Sequence, residues 1–218
     1  MKPVARVVSM VVVMVACGCA VAFAQAQNAD MPGYAQLDVA ATLGHKSDAA
    51  IGGEFGWHVK PDLAIFFEGG HIGNAAAADI EAGANRIANA VGATANAITK
   101  VNYYDVGVRY AFVMNNPKVH PYVAFGVGAA QVKNETTFVV NGTTTAPETL
   151  GIQLGSDLNG QETKAFVMFG LGAHVDVGSR YLIDASYRFG AVLSTTSAVA
   201  DTVALKTNRV QLGVGVKF

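Results

Sequence analysis

The sequence predicts an all-β fold, an eight-stranded antiparallel transmembrane up-and-down β-barrel. Three observations predict it: an export signal opens the chain, apolar residues alternate with polar or tiny ones through short segments, and connections alternate short and long. The last ten residues show the alternation best. Val210, Leu212, Val214, Val216 and Phe218 fall on one face of an extended chain, and Gln211, Gly213, Gly215 and Lys217 on the other.

The signal is read from Lys2, Arg6, the apolar run over 7–17 and two small-residue cleavage patterns, Ala22-Phe23-Ala24 and Ala24-Gln25-Ala26. Residues 1–24 are the expected signal peptide, with 26 as the other cleavage point, and 25–218 the barrel domain. A retained anchor and a lipoprotein acylated at Cys17 or Cys19 are the alternatives. Both cysteines lie in the signal, so the mature chain carries no disulfide and no thiolate site. A formal net charge of -1 with 14% charged residues excludes the basic surface that nucleic acid requires. Half of the chain is hydrophobic, yet past the signal no apolar run approaches a spanning helix.

The first strand covers residues 34–44, with Leu37, Val39, Ala41 and Leu43 against Gln36, Asp38, Ala40 and Thr42. The second covers 51–59, with Phe55, Trp57 and Val59 against Glu54, Gly56 and His58. Lys60-Pro61-Asp62 turns the chain into the third, 63–72, where Leu63, Ile65 and Phe67 oppose Ala64, Phe66 and Glu68. The fourth, 100–112, sets Tyr104, Val106, Val108, Tyr110 and Phe112 against Asp105, Gly107, Arg109 and Ala111. Asn115-Asn116-Pro117-Lys118 turns into the fifth, 119–132, and Pro121 marks where its ladder begins. The sixth, 165–177, has Gly170, Gly172, His174 and Asp176 on its small or polar face. Gly178-Ser179 leads to the seventh, 180–192, with Asp184, Ser186, Arg188 and Gly190 on that face, and the eighth ends the chain.

Connections after the second, fourth and sixth strands are a few residues long, and those after the third, fifth and seventh run to roughly 27, 32 and 16. A β-sandwich has no reason to keep every second loop short. A soluble lipocalin-like barrel would turn its polar face to water. Here that face is rich in Gly and Ala, which suits a narrow packed interior. Tyr34, Trp57, Tyr104, Tyr110, Tyr181, Tyr187 and Phe218 lie near strand ends, where aromatic girdles form at membrane interfaces.

The stretch His120-Pro121-Tyr122-Val123-Ala124-Phe125-Gly126-Val127-Gly128-Ala129, the phrase Ile183-Asp184-Ala185-Ser186-Tyr187-Arg188-Phe189 and the terminal Gly213-Val214-Gly215-Val216-Lys217-Phe218 carry a resemblance. The mature chain resembles the bacterial outer-membrane β-barrel family of opacity-protein-like surface antigens, related in form to the OmpA-type transmembrane domain. The resemblance implies the outer membrane of a Gram-negative bacterium and makes Phe218 similar to the signal read by the barrel-assembly machinery. It also implies contact with outer-membrane lipid and lipopolysaccharide. The family spans porins, adhesins, serum-resistance factors and proteins of unknown role.

Alternation sends Asp38, Glu54, Glu68, Asp105, Asp176 and Asp184 into the barrel with Arg109, Arg188, Arg209 and Lys217, and with His58 and His174. Buried charges must be paired or hydrated. They make either a salt-bridge network that holds the barrel shut or the walls of a narrow aqueous path. Ala124, Gly126, Gly128, Gly213 and Gly215 either leave room for water or relieve crowding. Ser186, His174 and Asp184 are the only inward trio on adjacent strands, with no local catalytic motif, so no catalytic residue is assigned. His45, His58, His71, His120 and His174 are isolated in sequence, so neither a metal site nor a cofactor is expected.

The loop over 74–99 is Ala-rich, with Ile80, Ile87 and Val91 as a weak apolar stripe, and forms either a short surface helix or a disordered flap. In 133–164, Phe138-Val139-Val140 followed by Asn141-Gly142 predicts a projecting hairpin. A surface ligand would bind at these two loops. The leading functional expectation is a monomeric outer-membrane surface barrel with a structural or adhesin/antigen-like role and a mostly closed, charge-paired interior. The alternative is a small-solute porin or a channel for small hydrophobic molecules, and an enzyme acting on envelope lipids is a third.

Overall fold

The computed structural model describes residues 33–116, 118–193 and 205–218. The expected export signal and most of the connection before the last strand lie outside them. The elements are β1 (Gly33–Leu43), β2 (Ala49–Lys60), β3 (Leu63–Ile72), helix α1 (Ala78–Ala90), β4 (Thr94–Ala111), β5 (Val119–Val140), a short β6 (Thr143–Thr145), a 3-10 turn (Pro147–Leu150), β7 (Gly160–Val177), β8 (Tyr181–Val192) and β9 (Leu205–Lys217).

Eight of these strands close a barrel. Each pairs antiparallel with its neighbour in the order β4-β3-β2-β1-β9-β8-β7-β5, and β4 pairs with β5 to complete the ring. The seam joins the two ends of the described chain: Tyr34 lies opposite Lys217 and Leu43 opposite Asn208. Gly33 and Phe218 exchange both backbone hydrogen bonds there, at 3.0 and 2.9 Å. Closure leaves no unpaired strand edge in the membrane, the condition a spanning sheet must meet.

The alternation holds through the ring. Leu37, Phe55, Phe67, Val106, Phe125, Leu171, Ile183 and Leu212 are exposed on the outer wall. A wall this apolar is stable only against lipid. Tyr34 departs from the girdle expectation: its ring is inside, 2% exposed, with its hydroxyl on Glu54. Its position two before Gln36 gives it the inward parity, which outweighs its place at a strand end. Trp57, Tyr104, Tyr110, Tyr181 and Tyr187 do face outward.

Three strands are longer than the alternation predicts. β4 starts at Thr94, β5 continues to Val140 and β7 starts at Gly160. Along β4 the outward residues change from Tyr104, Val106, Val108 and Tyr110 to Asn102, Lys100, Ile98 and Asn96, with one apolar residue left among four. Along β5 they change from Phe125, Val127 and Ala129 to Gln131, Lys133 and Glu135. The ladder runs on into water, where an outward apolar residue is no longer needed, so the sequence signal fades while the hydrogen bonding does not. The boundary is marked by a polar chain across three strands. His71 Nδ1 and Asn102 Oδ1 are 2.7 Å apart, and Asn102 Nδ2 donates to Gln131 Oε1 at 3.4 Å.

The projecting hairpin forms where expected. Asn141 and Gly142 both have positive φ, 50° and 80°, the backbone of a two-residue turn whose twist matches its strands. The Ala-rich loop is a helix: Ala84 packs with Ala97 of β4 and Leu158, flanked by Ile80 and Ile87. Short turns and both termini of the described barrel lie at one end and α1 and the extended strands at the other. By the rule of short periplasmic turns, the α1 end is outermost.

Candidate functional site

The lumen is crossed by a layer of charged groups and the side chains packed on them, to which every barrel strand contributes. Glu54 on β2 receives Arg109 Nη2 at 2.7 Å from β4 and Arg188 Nη2 at 2.8 Å from β8. The Tyr34 hydroxyl donates to it at 2.5 Å. Glu68 on β3 lies 3.3 Å from Arg209 Nη2 and 3.8 Å from Arg188 Nε, and accepts from the Tyr103 hydroxyl at 3.1 Å. Tyr122 on β5 donates to Asp184 at 3.0 Å. The Arg109 guanidinium lies 3.9 Å from the centre of the Tyr122 ring and Arg209 4.1 Å from that of Tyr103, so the rings shield the cations from the sides. Met168 of β7 completes the layer beside Arg188.

Arg188 and Arg209 are 0% and 1% exposed, so no water reaches them from either mouth. Toward the outer end Ile72, Val101, Val132, Phe166 and Val192 pack an apolar layer over the charges. The glycines make this filling fit. A β-carbon on Gly107 would meet the Phe125 carbonyl oxygen and the Phe66 ring, one on Gly126 would meet Asp105, and one on Gly213 would meet Asp38. They relieve crowding and do not open a path. The molecule is a closed barrel with an internal salt-bridge network.

The ten inward charges do not form one set. Asp38 accepts from Gln36 at 3.0 Å, and Asp105 has no hydrogen-bond partner among the described residues on either oxygen, because the three arginines are drawn to Glu54 and Glu68. Asp176 and Lys217 lie apart at the inner mouth, 2.7 Å from each other. The residues that sequence reading missed are Tyr103 and Tyr122, although each shares parity with an inward neighbour, Asp105 and Ala124.

His120 and His174 are not isolated. They are register partners on β5 and β7, with ring centroids 4.6 Å apart and an interplanar angle of 22°. Asp176, two residues on, points into the same space, its Oδ2 3.5 Å from His120 Nε2. Their side chains offer two imidazole nitrogens and a carboxylate oxygen within 4.8 Å of one another. The inward trio Ser186, His174 and Asp184 is not a relay. The Ser186 hydroxyl has no hydrogen-bond partner among the described residues, and Asp184 takes its hydrogen bond from Tyr122.

The outer mouth holds a cavity of about 380 Å³. Val132, Val192 and Leu205 form its floor, Thr99, Asn134 and Lys164 its walls, and Ile80, Gly83 and Arg86 of α1 border it. Outside the wall of the membrane, Glu81 of α1 is held by Lys46 Nζ at 2.9 Å and His45 Nε2 at 2.6 Å. Those two hydrogen bonds, Lys46 first, draw its carboxyl below the ordinary glutamate range. Lys100 and Lys133 do the same to Glu135 on the extended strands.

Among solved structures, Neisserial surface protein A is similar at a TM-score of 0.55 and 16% identity, over 86% of this chain and 97% of that one. The N-terminal barrel domain of Pseudomonas aeruginosa OprF is similar at 0.50 and 14%, over 85% and 97%. At such identities the likeness is one of fold. No functionally curated protein is detectably similar in sequence to this chain. A closed eight-stranded ring, an apolar outer wall and a match over residues 10–218 to the outer membrane protein beta-barrel domain lead to one assignment: the chain belongs to that family and resides in the outer membrane of a Gram-negative bacterium.

Proposed function

We propose that this protein is a surface barrel that acts through its outer face, in a structural or adhesin/antigen-like role, and that the lumen serves as a fixed plug. One observation carries this reading: the strands that leave the membrane are built into ordered structure, with α1 docked on β4 and Leu158, while the lumen beneath is filled by charge pairs. Order costs chain entropy, and a loop with no task has no need of it. The named likeness to a Neisserial surface protein supports display at the cell surface.

The partners follow from position. The outward band meets lipid, and the polar belt of His71, Asn102 and Gln131 with Lys100 and Lys133 lies level with lipopolysaccharide head groups. A surface ligand meets α1 and the β5–β6 hairpin. Phe218, hydrogen-bonded to Gly33 at the seam, serves the barrel-assembly machinery during insertion. The barrel works as a monomer: its eight-stranded ring closes on itself, so the described strands offer a second copy no free edge within the membrane.

The test compares cells displaying the full chain with cells whose chain has 74–93 and 141–159 replaced by tight turns. The trimmed barrel should fold, shown by heat-modifiable gel mobility, and lose attachment or recognition by surface-directed antibody. A trimmed chain that folds and keeps both would contradict a role for the outer face.

A further inference from the structure

At the inner mouth we propose a binding site for a divalent transition metal of the zinc class, formed by His120, His174 and Asp176. Three buried ligand atoms, one from each side chain, have no hydrogen-bond partner among the described residues: His120 Nε2, His174 Nδ1 and Asp176 Oδ1. Buried polar atoms are normally satisfied, and three orphans in one place call for a common partner. All the groups able to serve lie within 4.8 Å of one another.

Local structure explains the convergence. His120 and His174 face each other across the β5–β7 ladder, and the period of two puts Asp176 on the same face as His174. Lys217 reaches past the start of β8 to Asp176 Oδ2 at 2.7 Å, the oxygen that also lies 3.5 Å from His120 Nε2, and Oδ1 is left without a hydrogen bond. A second group that orients a ligating carboxylate in this way is the usual companion of a metal ligand. Lys217 also brings a positive charge, so the site binds with moderate affinity.

The donor set selects the ion. Two neutral imidazoles and one carboxylate suit zinc, copper or nickel and are poor for calcium or magnesium, which take oxygen ligands. A zinc ion bound at about 2.0–2.1 Å would draw the three donors together and keep a fourth position for water. His120 and Asp176 are partly exposed, with side-chain exposures of 32% and 20%, so an ion has a path from the periplasmic side. Bound there, it clamps β5 to β7 and, through Lys217, to β9.

The test uses the refolded full mature chain in detergent without an affinity tag. Zinc titrated against a chromophoric chelator should show one ion per chain, and cobalt in its place should give the visible bands of a site with fewer than six ligands. Zinc should raise the thermal midpoint, because it binds the folded chain only. His120→Ala, His174→Gln and Asp176→Asn should each lose the single-ion binding, while His71→Gln on the outer wall keeps it. Absence of single-ion binding in the unaltered chain would overturn the proposal even where a variant fails to fold. So would binding retained in folded His120→Ala and His174→Gln.

Discussion

Arg188 on β8 reaches across the lumen to Glu54 on β2, Nη2 to Oε2 at 2.8 Å, between residues 134 positions apart in the chain. Both side chains are sealed from water, and Glu54 shares its charge with Arg109 from a third strand. The contact joins the first half of the barrel to the last at mid-height. A lumen spanned in this way is a plug built of the wall itself.

Removing one partner exposes its cost. Glu54→Gln leaves Arg109 and Arg188 buried without their carboxylate, and stability in a urea refolding equilibrium should fall by about 3–5 kcal/mol. The paired change Glu54→Leu with Arg188→Leu should cost less than the two single changes added, because neither member of that pair is then left buried without the other, although Arg109 still loses its carboxylate. Additive losses would show that the two residues act independently.

Packing of the wall makes a separate prediction. Gly107→Val places a side chain against the Phe125 carbonyl oxygen and the backbone at Gly126 of the neighbouring strand. The β4–β5 ladder must then part, and about 1–3 kcal/mol of stability should be lost, read in the same refolding equilibrium. An unchanged midpoint would mean that the lumen has room at this level.

Helix α1 should behave as a unit of its own. A β-carbon at Gly83 meets only Leu158 Cδ2, at an ordinary 3.6 Å, so Gly83→Ala should firm the helix by about 0.5–1 kcal/mol. Leu158→Asp should undock the helix from Ala84 and Ala97 and make 74–93 sensitive to protease while the barrel keeps its heat-modifiable mobility. Protease resistance in the Leu158→Asp chain would show that α1 does not depend on that cluster.

The outer contacts also set a pH dependence. Lys46 and His45 depress the folded-state value of Glu81, so their contribution is fully present above the ordinary glutamate value of about 4.3 and is lost as pH falls through the lower folded value. The protection of α1 amides, their exchange rate taken against the intrinsic rate at each pH, should therefore fall in acid below that range. Lys46→Gln should move the transition upward in pH.

Much of this was legible in the chain. The inward parity of Glu54, Arg109, Arg188 and Arg209 follows from a period of two, and each strand carries enough apolar residues to reveal it. What a single strand cannot show is register. His120 and His174 stand 54 positions apart, and only the β5–β7 ladder makes them neighbours. The outer ends of β4, β5 and β7 were hidden for another reason: beyond the lipid, Asn96, Lys100 and Lys133 replace the apolar side chains that announce a strand. Tyr34 sits at a strand end, where aromatic residues girdle a membrane, yet its parity with Gln36 assigns it to the lumen.

The closed lumen is tested most directly by single-channel recording of the refolded chain over residues 25–218 in a planar bilayer, with folding confirmed by heat-modifiable mobility. A folded protein that stays silent across the voltage range is the expected result. Reproducible discrete openings whose size or selectivity shifts on Arg109→Gln would contradict it and return the barrel to the porin class.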